Sequence, residues 1–370
     1  MTTALDIIVV GGGIAGVSAA AELAAEARVT VIEAEPHLGY HSTGRSAAIF
    51  IRNYGNATLR ALNAASEPVF RRPGNLAEAP VLAPRGEMLL AQENELDTLD
   101  SYCAAADGLE RLSAAEAVAL VPILRPERIA AAVIERAAQD IDVERTLQGY
   151  ARRLRARGGR IVTGTQVTGI RRQGDHWQLT AGGDTYCAAI LVNAAGAWAD
   201  ELARMAGAAP LSIRPMRRSA AILPAPGGHD IARWPLFGSV SETWYAKPDA
   251  GRLIVSPADE DPVDAHDAWA DDMVLAEGLH RYEQAVTVPV TRVERSWAGL
   301  RSFAPDRTPV AGFDARLPGF FWLAGQGGYG VQTAPALARH AAALVAGRPP
   351  ELPAAVVAAL SPERFSRSSQ

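Results

Sequence analysis

Three glycines and one acid near the start of the chain have the types and spacing that hold a dinucleotide. Gly11, Gly13 and Gly16 follow an apolar run at 6–10, and Glu33 ends a second apolar run. In such a turn the first glycine permits a tight bend, the second lets the backbone approach a pyrophosphate, and the third lets a helix pack closely on a strand. An acid about 20 residues further along accepts hydrogen bonds from a ribose. The pattern predicts a dinucleotide site and leaves NAD and FAD open, because both cofactors use it.

A second candidate group is Arg301, a charged residue in the otherwise apolar segment 297–303 (WAGLRSF). A guanidinium in such a segment requires a negative partner. Because its planar fork forms two parallel hydrogen bonds with a carboxylate, Arg301 is suited to gripping the carboxylate of a substrate. A structural ion pair is the alternative interpretation.

The elements that must position these groups follow from periodicity and turn residues. An alanine-rich helix follows the glycine turn, and its N-terminal N–H groups would face phosphates. Leu59, Leu62, Ala65 and Val69 form one apolar stripe, which predicts a helix at 57–70. Two further helices are predicted from their caps: one opened by the capping box Ser113–Glu116, and one at about 142–157 with Asp142 as N-cap. The stretch 213–302 is predicted to be mostly extended, with one helix near 271–285, and a last helix is predicted to end near 346. The predicted strands lie at 6–10, 28–33, 87–90, 160–163, 166–172, 176–180, 185–192 and 320–324.

The order of these elements predicts an α/β chain with two domains that interleave along the sequence. At 370 residues the chain exceeds a single core of ordinary size. Segments 1–47, 142–212 and 305–370 are predicted to form a Rossmann-like cofactor domain. Segments 48–141 and 213–304 are predicted to form a substrate domain around a mixed sheet.

Composition argues against several classes of function. The net charge of −5 and the absence of a basic stripe argue against a nucleic-acid partner. The histidines are scattered and no His/Cys cluster occurs, so no metal site is expected. Lys247 is the only lysine, which leaves one candidate for Schiff-base chemistry. Cys103 and Cys187 lie far apart and are predicted to be buried thiols in a reducing compartment.

The sequence carries no signal for secretion or membrane insertion. No basic segment followed by an apolar one precedes the first strand. No apolar run reaches the roughly 18 residues that a transmembrane helix needs. A cytoplasmic protein without a transmembrane segment is therefore expected.

Four motifs in a fixed order connect the chain to a known family: GGGIAG at 11–16, STGRS at 42–46, NAAGAW at 193–198 and AGQGGYG at 324–330. Together they resemble the FAD-dependent D-amino acid oxidase/dehydrogenase superfamily, which includes glycine and sarcosine oxidases. A closer likeness, to bacterial D-arginine dehydrogenases, is carried by segments at 39–48 (GYHSTGRSAA), 85–88 (RGEM), 217–220 (RRSA), 245–251 (YAKPDAG), 297–303 and 326–332 (QGGYGVQ). The likeness spans almost the whole chain. It implies non-covalent FAD, an amino acid as small-molecule substrate, and an electron acceptor such as a quinone or dioxygen.

The resemblance also implies roles for individual residues. Arg301 and Arg218 would bind the substrate carboxylate, and Tyr245 and Tyr54 would complete the catalytic group. The other residues implied at the substrate are Glu87, Ile49, Gly328 and Gln332. The residues implied at the cofactor are Gly11, Gly13, Ile14, Ala15, Gly16, Glu33, Ala34, Ser42, Thr43, Arg45, Ser46, Ala47, Val167, Ala195, Gly196, Gly327 and Gly330.

Glu87 carries the implied substrate preference. In the D-arginine dehydrogenases a matching Glu faces the cationic side chain, and a buried carboxylate there would favour basic substrates. Without the resemblance, a solvated acid at a strand start is the expected reading. The chain departs from that family at Ile49, where those enzymes carry a His, and this puts a strict preference for arginine in doubt.

The expected reaction is oxidative deamination of D-amino acids, basic or broad in range. Three alternatives stay open at this stage. One is a secondary-amine oxidase or dehydrogenase of the glycine, sarcosine or D-proline type. The others are an RNA-modifying flavoprotein, against which the acidic charge counts, and a flavin-binding protein without turnover.

Overall fold

The computed structural model describes residues 6–368, and its central feature is a six-stranded sheet built from three separate parts of the sequence. Five neighbouring strands run parallel, and the first strand of the order lies antiparallel at one edge. The strand order across the sheet is Val310–Phe313, Phe320–Ala324, Ile190–Asn193, Asp6–Val10, Arg28–Ile32 and Arg160–Val162. These strands are almost continuously apolar, as expected for a parallel sheet covered on both faces.

A second, mixed sheet of nine strands contains the segments between these parts. Its pairs are antiparallel except for Leu236–Ser239, which lies parallel to Glu87–Ala91. The strand order is Asp261–Pro262, Arg214–Pro224, Arg252–Ser256, Tyr245–Asp249, Leu236–Ser239, Glu87–Ala91, Ala131–Glu135 and Glu110–Leu112, with Arg295–Phe303 on the other side of Arg214–Pro224. Two small sheets complete the strands: Val167–Gln173, His176–Ala181 and Asp184–Ala188 in one, and Ile49–Phe50, Gln139–Ile141 and Leu82–Pro84 in the other. The α/β class and the mixed second sheet agree with the sequence prediction.

The α-helices begin and end close to the predicted positions. Asp142 caps its helix by accepting a hydrogen bond from the Arg145 N–H, and Ser113 and Glu116 form the predicted capping box. The helices span Ile14–Leu23, Ala57–Arg71, Leu96–Ala104, Ala114–Leu120, Val143–Ala156, Ala199–Ala206, Asp272–Ala285, Gly330–Val345 and Ala354–Leu360. Within residues 6–368, every helix is too short or too polar to span a bilayer.

The helix Ala57–Arg71 packs on the six-stranded sheet side, although its sequence lies in the segment assigned to the substrate domain. Leu59 and Leu62 share one apolar core with Val9 and Leu337. This helix contacts Gly330–Val345 along its length. The helix therefore packs with the six-stranded sheet, although the segment that contains it also contributes strands to the nine-stranded sheet.

Two details of the sequence prediction are wrong. The single strand expected at 185–192 is two strands, Asp184–Ala188 and Ile190–Asn193, which belong to different sheets. The break comes at Ala189, whose N–H donates to Asp6 O and starts a fully buried segment. The cysteines are not both buried: Cys187 is exposed and Cys103 is partly buried, because the alternation of an exposed strand places Cys187 on its outer face.

Candidate active site

A cavity of about 460 Å³ opens where the parallel strands end. Val10, Ile32 and Ala194, which end or follow three neighbouring strands, line one wall. Ligands of open α/β sheets bind at this edge, outside the carboxyl ends of the strands. The position of the cavity therefore fits a cofactor site.

Gly11 and Gly16 allow the backbone segments that form this wall of the cavity to approach each other closely. Gly11 has a φ of +115°, and a Cβ there would lie 2.2 Å from Ala194 O. A Cβ on Gly16 would lie 2.0 Å from Gly11 O, so the helix Ile14–Leu23 packs on the turn only because both residues are glycine. Gly16 itself does not line the cavity, so its part is in packing.

The N-terminus of the helix Ile14–Leu23 points its N–H groups toward the cavity wall. Thr43 Oγ1 accepts one of them, from Ile14, at 3.1 Å. The N–H groups of Ala15 and Gly16 have no acceptor within the helix, because the first turn of any helix lacks one. These donors and the positive end of the helix dipole suit a pyrophosphate.

Glu33 lies beside this helix end and lines the cavity. Its carboxylate accepts hydrogen bonds from the Gly12 N–H and, at 2.7 Å, from the Glu35 N–H. Each carboxylate oxygen accepts more than one hydrogen bond. The side chain is therefore held in place and retains acceptor capacity for a ribose.

The segment 42–47, which we call the cofactor loop, is fixed to the strand Arg295–Phe303. Ser42 Oγ donates to Leu300 O at 2.6 Å, and the Trp297 ring nitrogen donates to Arg45 O at 3.0 Å. The Arg45 guanidinium donates to Ala268 O and Ala298 O and pairs with Asp267. The arginine therefore holds the loop against the second sheet while it lines the cavity.

Most residues implied at the cofactor line this one cavity. They are Gly11, Gly13, Ile14, Ala15, Glu33, Ala34, Ser42, Thr43, Arg45, Ser46, Ala47, Val167, Ala195, Gly196, Gly327 and Gly330. The far end of the cavity is formed by Arg218, Tyr245, Arg301 and Gly328, which were implied at the substrate.

Arg301 is the best-placed cation for an anionic ligand at that end. Its nearest polar neighbours are distant: Nη1 lies 3.5 Å from the Tyr54 hydroxyl and 3.9 Å from Glu260 Oε1. Burial lowers the pKa of Arg301, but Tyr54, Tyr245, Glu242 and Glu260 outweigh it, so the pKa lies above its usual value. The guanidinium is charged, and its ion pair with Glu260 is long.

Glu260 is shared by three guanidiniums. Its carboxylate accepts a hydrogen bond from Arg218 Nη2 at 3.0 Å and two from Arg307 Nη2, each at 3.0 Å. Arg218 also donates from Nε to Asp259 O at 2.8 Å. Arg218, Arg301 and Arg307 therefore share one carboxylate, and Arg218 and Arg301 line the cavity.

Glu87 is buried, with 8% of its surface exposed, so it is not a solvated surface acid. Within residues 6–368, neither a hydrogen bond nor an ion pair reaches its carboxylate. Burial raises the pKa of Glu87 to about 8, and the carboxylates of Glu135 and Glu242 add to the rise. Glu135 lies directly opposite on the paired strand and is itself held by the Arg52 N–H and the Asn53 side chain. A partly desolvated carboxylate without a partner favours a cationic ligand.

Tyr54 lies next to Arg301 and packs edge-on against Tyr329, with ring centroids 4.9 Å apart. Burial raises the pKa of Tyr54 above its usual value. Its hydroxyl is therefore neutral and acts as a hydrogen-bonding group toward the arginine or its ligand.

Comparison with known proteins bears on the identity of the ligands. The sequence model of the family described as FAD dependent oxidoreductase matches residues 6–344. The chain belongs to this family. Its cofactor is FAD, and the glycine turn, the helix N-terminus and Glu33 fit the pyrophosphate and ribose of that dinucleotide.

Named relatives of this FAD-dependent oxidoreductase share modest identity. The hydrogen cyanide synthase subunit HcnC of Pseudomonas aeruginosa is 28% identical over 197 residues, which cover 51% of this chain and 45% of that protein. Glycine oxidase of Geobacillus kaustophilus is 25% identical over 355 residues, covering 90% and 91%. The match thus spans less than half of the first relative and nearly all of the second. Among solved structures, L-proline dehydrogenase from P. horikoshii superposes with a TM-score of 0.85 at 23% identity, covering 99% of each chain, and this likeness shows the fold.

Four residues implied at the substrate or in the catalytic group do not line the cavity of this FAD-dependent oxidoreductase: Tyr54, Glu87, Gln332 and Ile49. Gln332 is buried, accepts from the Ile51 N–H at 3.1 Å, and donates to Asn63 Oδ1 at 3.0 Å. Both ends of its amide are therefore occupied by protein, and the assignment to substrate is corrected to a structural role. Ile49 pairs with Asp140 in a two-residue strand and does not line the cavity.

Three charged residues of the site were missed by sequence reasoning. Glu260 and Arg307 form the arginine cluster described above, and Glu242 influences the pKa of both Glu87 and Arg301. Glu242 has a left-handed φ of 51° in the turn before the strand Tyr245–Asp249. A non-glycine residue with this φ has a strained backbone conformation, which the sequence alone does not predict.

Proposed function

We propose that this protein oxidises D-amino acids with FAD, and that it either prefers basic side chains or accepts a broad range of side chains. The proposal is carried by a cationic arginine at the cavity together with a buried acid that no protein group holds. Arg301 lines the cavity and has only a long ion pair, 3.9 Å, to Glu260, and within residues 6–368 the buried Glu87 side chain has neither a hydrogen bond nor an ion pair. Glu242 contributes to the raised pKa of both Glu87 and Arg301. An amino acid with a cationic side chain supplies the missing partner at each end.

The names of the relatives support an amino acid or amine as substrate. Glycine oxidase and L-proline dehydrogenase act on amino acids by their names, and both match nearly the whole chain. The preference for a D-configuration and a basic side chain rests on the motif resemblance and on Glu87. The net charge of −5 favours this reading over an RNA-modifying flavoprotein.

The chain's own residues would act mainly by positioning. Arg301 and Arg218 bind the substrate carboxylate, and Tyr245 and the Tyr54 hydroxyl complete the wall, so that Cα cannot rotate away from the cofactor. FAD, when bound, supplies the two-electron acceptor for the Cα–H bond. No protein acid or base is required at Cα when the substrate amine is neutral. The resulting imine would hydrolyse to a 2-oxo acid and ammonia, and a quinone or dioxygen would regenerate the oxidised enzyme.

The alternative is oxidation of a secondary amine of the glycine, sarcosine or D-proline type. The same arginine grip would hold these substrates, and the relatives include a sarcosine dehydrogenase. The buried Glu87 argues against it, because small neutral amines leave that carboxylate without a partner.

The deciding experiment is anaerobic reduction of the bound flavin by a panel of substrates. The panel contains D- and L-arginine, D- and L-lysine, D-leucine, sarcosine, glycine and D-proline. We expect fastest bleaching with the basic D-amino acids. Bleaching only by sarcosine or D-proline would favour the alternative, and bleaching by none would leave a flavin-binding protein without this activity.

A further inference from the structure

The only lysine of the chain holds the end of the cofactor loop from inside the protein. Lys247 is 5% exposed and lies on the strand Tyr245–Asp249, two residues after Tyr245. Because side chains two residues apart on a strand share a face, Lys247 points to the same side as the tyrosine that lines the cavity. Its Nζ donates to Ala47 O at 2.6 Å and lies 3.4 Å from Ala48 O.

The ammonium is itself held by a partly buried ion-pair network. Nζ lies 2.9 Å from Asp140 Oδ1, and Arg85 binds Oδ2 of the same carboxylate at 2.7 Å. Arg85 also donates to Ala232 O and Trp234 O, each at 2.9 Å. The position of Nζ is therefore fixed relative to the second sheet.

The side-chain nitrogen of Lys247 therefore has a short hydrogen bond to one backbone carbonyl, a longer contact to the next carbonyl, and an ion pair with a carboxylate. Removing it would leave the partly buried Asp140 beside one guanidinium and would leave the carbonyl of Ala47 without this donor. The carbonyl of Ala48 would keep its hydrogen bond from the Ile141 N–H.

We propose that Lys247 is a positioning residue for FAD, which fixes the end of the cofactor loop (42–47) from the second sheet. Ala47 and Ser46 line the FAD cavity, and the carbonyl that Lys247 binds belongs to Ala47. The opposite end of the same loop is fixed through Ser42 to Leu300. Lys247 thus holds the Ala47 carbonyl, next to Ala48, whose own carbonyl also accepts from the Ile141 N–H.

The first test is the variant Lys247→Met, which keeps most of the length of the side chain and removes its charge. We expect FAD affinity to fall about ten-fold or more and the visible absorption bands of the bound flavin to shift, while the circular dichroism of the FAD-free protein is retained. Arg252→Met is the matched control, because Arg252 pairs with Glu294 at the exposed end of the neighbouring strand. Wild-type FAD affinity and an unchanged flavin spectrum in Lys247→Met would overturn the proposal.

A second test uses the wild-type protein and decides the question if that variant fails to fold. Because Lys247 is the only lysine, an amine-acylating reagent has one side-chain target, and peptide mass spectrometry reports its rate of modification. We expect modification to be about ten-fold slower with FAD bound than in the FAD-free protein, since FAD and Lys247 hold the same loop. Equal rates in the two forms would show that the lysine is not coupled to the cofactor.

Discussion

The guanidinium of Arg301 lies against the backbone of Gly328, so closely that a Cβ on the glycine would sit 2.8 Å from Cζ. Gly328 belongs to the turn that precedes the helix Gly330–Val345, and Arg301 belongs to the strand Arg295–Phe303 of the second sheet. The contact therefore joins the two parts of the chain at the point where the proposed substrate carboxylate binds. The glycine is required there because the arginine occupies the space of its side chain.

Gly328→Ala is expected to displace Arg301 without removing its charge. Since the methyl group would collide with Cζ and Nε, the guanidinium must move by several tenths of an ångström or more. We expect KM for amino acids to rise about ten-fold or more while FAD stays bound. Steady-state kinetics and the flavin absorbance check this, and unchanged KM would argue against Arg301 as the carboxylate ligand.

Arg301→Ala removes the guanidinium itself. Two charge-assisted hydrogen bonds to a carboxylate contribute about 3–4 kcal/mol, so KM is expected to rise about 10²–10³-fold. Arg295→Ala, at the exposed start of the same strand, is the control and is expected to behave as wild type. Wild-type kinetics in Arg301→Ala would rule out the carboxylate role.

Glu87→Leu is expected to change selectivity and to spare the reaction. Basic D-amino acids would lose their partner carboxylate, whereas D-leucine would meet an apolar wall. We expect kcat/KM for D-arginine to fall about 100-fold relative to D-leucine. Glu110→Leu serves as the control, because Glu110 lies in the same sheet but is exposed and paired with Arg136. An equal loss for all substrates would mean that Glu87 supports the fold only.

The same residue predicts how selectivity depends on pH. Burial and the neighbouring carboxylates raise the pKa of Glu87 to about 8, so at neutral pH the free enzyme carries this group mostly protonated. Its charged form, which a cationic side chain needs, therefore gains population as pH rises toward 8. We expect the ratio of kcat/KM for D-arginine to that for D-leucine to rise from about pH 6 through pH 8 and to level off above about pH 9. Taking the ratio largely cancels the ionisation of the α-amine, and a flat ratio in Glu87→Gln would tie the effect to this residue.

The parts of the site that sequence predicts are those whose signal is local. Gly11, Gly16 and Glu33 lie within one βαβ unit, and their spacing alone describes the turn. Arg301 stands out because its segment is otherwise apolar. In the structure Gly11, Glu33 and Arg301 line one cavity, and Gly16 packs the helix against the turn behind it.

The parts that sequence misses depend on contacts between distant segments. Glu260 lies in an acidic segment, for which the sequence predicts exposure to solvent. In the structure Arg218 and Arg307, which are distant in sequence, bind its carboxylate. Gln332 follows the glycine turn directly, but the helix Gly330–Val345 turns its side chain toward Asn63 and away from the cavity. Closeness in sequence to the glycine turn therefore did not predict which way the side chain of Gln332 points, because the helix sets its direction.

The glycine turn that begins at Gly11 offers the sharpest test of where FAD binds. Gly11→Ala would place a methyl group 2.2 Å from Ala194 O and force a φ of +115° on a residue that avoids it. Because Ala194 ends the neighbouring strand and lines the cavity, the strain would push apart the two walls that hold the dinucleotide. We expect Gly11→Ala to purify without FAD, or to release it on dilution, as measured by flavin absorbance per protein. Gly169→Ala is the control, since a Cβ there meets nothing closer than 3.8 Å in an outlying sheet. Full FAD content in Gly11→Ala would mean that this turn does not carry the cofactor.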